Sequence, residues 1–123
     1  MVTGLDLLFL EVNNLEDSLA FYHEHLGFEI ESHNPDNEPP IATVRAGALK
    51  INLVQQLETM LKRCRGVHFV LGVENVDNLF ARLTAADINI TGPRDEGWGG
   101  RFVSLTDPDG YRLFFVTWNS NSD

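Results

Sequence analysis

The chain repeats itself, and no other feature constrains its fold as tightly. "EVNNLEDSL" at 11–19 lines up with "GVENVDNL" at 72–79, so that Val12 falls on Val73, Asn14 on Asn75 and Leu15 on Val76, an offset of 61. With one residue deleted from the second helix, "LGFEI" at 26–30 falls on "ADINI" at 86–90. Each half then reads β-α-β-β-β. A unit of that size cannot bury both faces of its own sheet, so two units must pack together. The expected fold is therefore α+β: tandem β-α-β-β-β modules whose curved mixed sheets enclose a cleft. The modules are expected at 4–56 and 67–118 of a single domain, joined by a linker at 57–66 and followed by a frayed tail at 119–123.

Local signals agree with the repeat. "LDLLFLEV" at 5–12 is the first strand, and Asn14 offers a helix cap with Glu16 and Asp17 in the first turn, where acidic groups suit the helix dipole. Leu15, Leu19, Tyr22 and Leu26 make one helical stripe, which Gly27 ends. "FEIESH" is extended, "NPDNEPP" is a surface loop, and "IATVRA" and "ALKINLVQ" flank Gly47 as a hairpin. In the second half "VHFVLGV" reads as a buried strand. Asn75 is a cap, and Val76, Leu79 or Phe80, Leu83 and Ala86 form the stripe. "INI" at 88–90 is extended, "GPRDEGWGG" is a Gly-rich loop, "RFVSLT" and "YRLFFVTW" are strands, and "DPDG" turns between them.

Composition narrows the partners. Nine basic against eighteen acidic residues leave a net charge of −9, which disfavours nucleic acid and anionic membranes and would attract cations. The start, "MVTGLDLLFLEV", carries neither a basic leader region nor a small-residue cleavage site. No apolar run approaches the roughly 20 residues a spanning helix needs. A lone cysteine, Cys64, excludes an internal disulfide and fits a cytoplasmic protein. With Leu57, Met60 and Leu61 it falls on an amphipathic stripe and is expected to pack, although Lys62, Arg63 and Arg65 would favour a thiolate were it exposed.

Candidate chemistry is sparse. His23 and His25 share a helix but not a face, His33 lies by the Pro-rich loop, and all three read as solvated surface. Ser104 has no base near it in sequence and no nucleophile elbow around it. His68 interrupts an apolar strand and is either a polar handle in a cleft or a hydrogen-bonded core histidine. Trp98, between glycines, is either a stacking lid or a cover for a dimer seam; Trp118 is expected to cap the core.

"VNNLEDSLAFYHEHLGFEI", "VHFVLGVENVDNLFARL" and "WGGRFVSLTDPDGYRL" together resemble the vicinal-oxygen-chelate superfamily of glyoxalases, dioxygenases, fosfomycin-resistance enzymes and bleomycin-resistance proteins. The resemblance covers nearly the whole chain and implies a homodimer with clefts between curved sheets. It places the family's metal-ligand positions at Leu7, Asn52 (or Ile51 if the register slips, although the alternation of Leu49, Ile51 and Leu53 favours Asn52), His68 and Phe114. Leucine and phenylalanine offer no lone pair, and one imidazole with one amide does not make a coordination shell. The resemblance therefore points to the metal-free, bleomycin-resistance-like members, with no catalytic residue, no metal and no cofactor. The expected ligand-binding residues are Phe9, Asn52, His68, Trp98, Phe102, Ser104, Arg112 and Phe114. The expected function is sequestration of a small molecule, cationic and planar by the family's example. The alternatives are a divalent-metal enzyme with displaced ligands and a protein-interaction module using the same cleft.

Overall fold

Two asparagines start the two helices in the same way. Asn14 Oδ1 accepts from the Asp17 amide at 2.9 Å, and Asn75 Oδ1 accepts from the Asn78 amide at 3.1 Å, each satisfying an amide that the first helical turn leaves without a partner. The structure is a computed structural model describing residues 1, 3, 5–56, 68–96 and 99–118. The expected amphipathic linker helix with Cys64, the Trp98 loop and the tail at 119–123 lie outside the described residues.

The chain divides between Arg63 and Cys64 into two compact units. The first holds β1 (Leu8–Val12), α1 (Leu15–Leu19), a π-helical segment (Ala20–His25), β2 (Glu29–Asn34), β3 (Ile41–Ala46) and β4 (Leu49–Gln55). The second holds β5 (His68–Gly72), α2 (Val76–Ala85), β6 (Thr91–Glu96), β7 (Gly100–Thr106) and β8 (Arg112–Trp118). Their sheets run β1-β4-β3-β2 and β5-β8-β7-β6, and in each the first and last strands are parallel while the other pairs are antiparallel. The fold is thus α+β, with two four-stranded mixed sheets. Among the described residues no helix is long and apolar enough to cross a membrane.

Each sheet covers one face with its helix. In the first unit α1 packs on β3 and β4, and Leu10, Val12, Ala42, Val44, Ile51 and Leu53 are buried together with Leu15, Leu19, Tyr22 and Phe28. In the second, α2 packs on β6, β7 and β8, and Val103, Leu105, Leu113 and Phe115 are buried with Val76 and Leu83. Burial of each such side chain stabilises by about 1.5–3 kcal/mol, before the entropy of ordering it is counted.

The last strand of each unit also anchors its helix. The Leu15 amide donates to Gln55 Oε1 at 2.8 Å, and the Val76 amide donates to Thr117 Oγ1 at 3.0 Å, with Thr117 Oγ1 donating in turn to the Val73 carbonyl at 3.1 Å. The helices end alike as well: Gly27 has φ 78°, and Asp87, the residue aligned with it, accepts φ 62° despite its side chain. Aspartate is among the few residues that tolerate this conformation.

Three expectations need correction. The first helix does not run to Leu26 as one α-helical stripe. It widens into π turns at Ala20, where the Leu26 amide reaches back to the Phe21 carbonyl at 3.1 Å; Phe21 is buried, and Leu26 is turned off the stripe and left half-buried. "INI" is not a strand; the extended segment is Thr91–Glu96, inside the stretch expected to be loop. An edge strand tolerates Pro93 because the ladder to β7 is irregular between Thr91 and Arg94. Gly92 permits that irregularity: it sits at φ 114°, and a Cβ there would meet the Phe102 carbonyl oxygen at 2.7 Å. Finally, β5 is not a buried strand. It forms one edge of its sheet, and its burial alternates between exposed and half-buried.

The "DPDG" turn behaves as its residues suggest. Asp107 is buried, its Oδ1 accepts from the Asp109 and Tyr111 amides at 2.9 and 2.8 Å, and Gly110 takes φ 95°.

Candidate functional site

The alternation that buries one face of each sheet presents the other. In the first unit, Phe9 pairs with Asn52 and Asn52 with Thr43 in one row across β1, β4 and β3. Phe9 is 57% exposed. Asn52 Oδ1 accepts from Thr43 Oγ1 at 2.8 Å. Leu7, just before β1, is exposed as well. The next row carries Lys50 beside Arg45, and Lys50 pairs with Glu31 at 3.2 Å.

In the second unit, five of the expected ligand-binding residues share one face. Val70, Phe114, Ser104 and Thr91 form one row; His68, Arg112 and Thr106 form the next; Gly72, Val116, Phe102 and Arg94 form the third. Four rings stand in line on this face. His68 and Phe114 have centroids 5.7 Å apart at 63°, Phe114 and Phe102 6.2 Å apart at 63°, and Phe102 and Trp118 6.4 Å apart at 86°. Edge-to-face geometry of this kind is the arrangement that aromatic rings favour.

His68 is exposed, which overturns the core-histidine alternative. Trp118 is 56% exposed and ends the ring row, so it does not cap the core. His23 and His33 are exposed, yet both are engaged: His23 Nδ1 donates to the Phe28 carbonyl at 2.7 Å, and His33 Nε2 lies 2.9 Å from Glu16 Oε2. His25 is half-buried, not a solvated surface residue.

Two adjoining depressions open on the second unit. The larger, of about 510 Å3, is lined by Asn89, Ile90, Thr91, Ser104, Leu105, Thr106 and Arg112. The smaller, of about 120 Å3, is lined by Thr91, Gly92, Arg94, Glu96, Phe102, Val103, Ser104 and Phe114. Thr91 and Ser104 belong to both. Sequence reasoning missed Asn89, Thr91, Arg94 and Thr106. Thr91 and Arg94 sit in the strand that the Gly-Pro pair disguised as loop.

The positions that the resemblance assigns to metal ligands carry poor donors, each taken within its own unit. Leu7 and Phe114 offer hydrocarbon, Asn52 Oδ1 is taken by Thr43, and His68 lies against Phe114. Among the described residues, no three His, Cys, Asp or Glu side chains come together as a metal site would require.

Away from this face, Arg101 Nε and Nη2 donate to both Asp77 carboxylate oxygens at 3.1 and 3.0 Å, and Nη1 lies 3.1 Å from Asp95. These hydrogen bonds hold the Asp77 carboxyl below its ordinary pKa. The cluster ties the start of α2 to β6 and β7 and is structural.

Among solved structures, an integron cassette protein from the mobile metagenome of Halifax Harbour sewage outfall superposes with a TM-score of 0.77 at 26% identity, over 94% of this chain and 99% of that one. TnmS3, an antibiotic binding protein from Streptomyces sp. CB03234, gives 0.80 at 24% identity, over 96% and 98%. The fosfomycin resistance protein FosX from Listeria monocytogenes gives 0.76 at 18% identity, over 97% and 94%. At the identities of the last two the likeness concerns the fold. No curated protein sequence matches the chain. The family model of the glyoxalases, bleomycin resistance proteins and dioxygenases matches residues 4–115, and the chain belongs to the Glyoxalase/Bleomycin resistance protein/Dioxygenase superfamily.

Proposed function

We propose that this protein is a metal-free small-molecule binder of the antibiotic-sequestering type, acting in the cytoplasm as a homodimer. One observation carries the reading: the line of rings from His68 through Phe114 and Phe102 to Trp118, which stands where a metal enzyme of the family would need donors. Rings offset in this way bind a flat or partly apolar molecule through stacking and area burial, with no bond made or broken. The description of TnmS3 as an antibiotic binding protein supports the same use of the fold.

The test is a thermal-shift screen with divalent metals and planar antibiotics, together with metal analysis of the purified protein. A ligand present at about 100 times its Kd stabilises by about 2.7 kcal/mol, which raises Tm by several degrees in a chain of this size. We expect such a shift with at least one planar antibiotic and none with metal. Near-stoichiometric Zn, Ni, Mn or Fe with a chelator-sensitive Tm would move the chain to the metal-dependent enzymes.

A further inference from the structure

Resting on the reading of this face as a small-molecule site, we propose that its ligand carries an acidic group, such as a carboxylate, sulfonate or phosphonate. That group is held at Arg112 while the ligand's apolar body lies along Phe114 and Phe102.

The net charge of −9 suggests a cationic ligand, but the charged residues given for the two depressions are Arg112, Arg94 and Glu96, two basic against one acidic. Among the described residues, Arg112 is the sole charged one lining the larger depression; the polar groups beside it are Asn89, Thr91, Ser104 and Thr106. Hydroxyls and an amide can all donate to an oxyanion. His68 pairs with Arg112 across the β5–β8 ladder and adds a further possible donor. Arg112 itself is exposed and has no ion-pair partner among the described residues, whereas Arg101 is satisfied by two carboxylates.

Distance decides which charge matters. At physiological ionic strength a field is screened over about 8 Å, so carboxylates elsewhere on the surface steer an approaching molecule but contribute little to the bound state. The guanidinium on the wall contributes directly, through paired charge-assisted hydrogen bonds that suit a planar or tetrahedral oxyanion. A cationic head placed there would meet Arg112, and among the described residues the nearest acidic lining residue, Glu96, belongs to the smaller depression. The geometry accommodates a two-part ligand, because the ring-lined depression and the Arg112 depression meet at Thr91 and Ser104.

Three fluorescent probes test this: 8-anilinonaphthalene-1-sulfonate, its uncharged relative N-phenyl-1-naphthylamine, and cationic thioflavin T. The full chain should bind the sulfonate about tenfold more tightly than the neutral relative, which one charge-assisted contact can supply. Arg112→Gln should abolish that preference at unchanged Tm, and Arg112→Lys should keep part of it. Equal binding of the two naphthalenes, a preference that survives Arg112→Gln, or tightest binding of thioflavin T would overturn the acidic-ligand assignment and leave small-molecule binding intact. Failure of all three probes to bind would count against both.

Discussion

The imidazole of His68 stands at 63° to the ring of Phe114, with centroids 5.7 Å apart, across two neighbouring parallel strands. These are two of the positions that the resemblance assigns to metal ligands. An aromatic neighbour in place of a second donor turns a coordinating corner into a hydrophobic one, and the remaining ring row extends that surface to Trp118.

Because His68 is exposed, His68→Ala should change unfolding free energy by no more than about 0.5 kcal/mol. Loss of one ring contact should weaken binding of 8-anilinonaphthalene-1-sulfonate by about 1 kcal/mol, or roughly fivefold in Kd. Urea melts and a fluorescence titration check both halves; unchanged affinity would remove His68 from the site.

Gly92→Ala tests the bulge in β6. The new methyl group would sit 2.7 Å from a backbone oxygen at a φ that alanine avoids, so destabilisation of about 1–3 kcal/mol is expected. Gly47 also has positive φ but open space around a built Cβ, so Gly47→Ala should cost less. Comparing the two urea midpoints separates steric clash from backbone strain.

Asp107→Ala should leave the Asp109 and Tyr111 amides without their acceptor in a buried turn. The expected cost is about 1–3 kcal/mol, read as a lower Tm. Asp107→Asn keeps an acceptor oxygen and should lose less.

The ion pair between Asp77 and Arg101 sets a pH dependence of known sign. Hydrogen bonding to Arg101 depresses the folded pKa of Asp77. Its stabilisation is therefore complete above the unfolded value and is lost as pH falls through the folded one. The urea midpoints of wild type and Asp77→Asn should differ at neutral pH and converge as pH falls below the ordinary carboxylate range. A gap that stays constant over that fall in pH would show that the pair contributes nothing through charge.

Much of the fold was legible because its signals are local and occur twice. Asn14 and Asn75 cap, Gly27 ends the first helix, and the alternation along β4 sends Ile51 and Leu53 one way and Asn52 the other. What stayed hidden depends on partners distant in sequence. Nothing near Thr91 or Arg94 shows that "TGPRDE" pairs with β7, since an edge strand needs neither continuous hydrophobicity nor freedom from proline. The π turns from Ala20 take Leu26 off the stripe without any change in apolar spacing. Trp118 resembles a core residue by type, and only the register of β7 and β8 sets it beside Phe102 on the uncovered face. A sum of charge over all residues also cannot show that Arg112 has no ion-pair partner among the described residues.

The bonds from Leu15 to Gln55 and from Val76 to Thr117 span 40 and 41 residues. A five-residue α-helix followed by π turns has no stability of its own in water. The first helix can therefore persist only once the strand ending at Gln55 has docked, and a nascent chain released short of that residue would have no intermediate worth keeping. Folding of each half is thereby made concerted by its final strand.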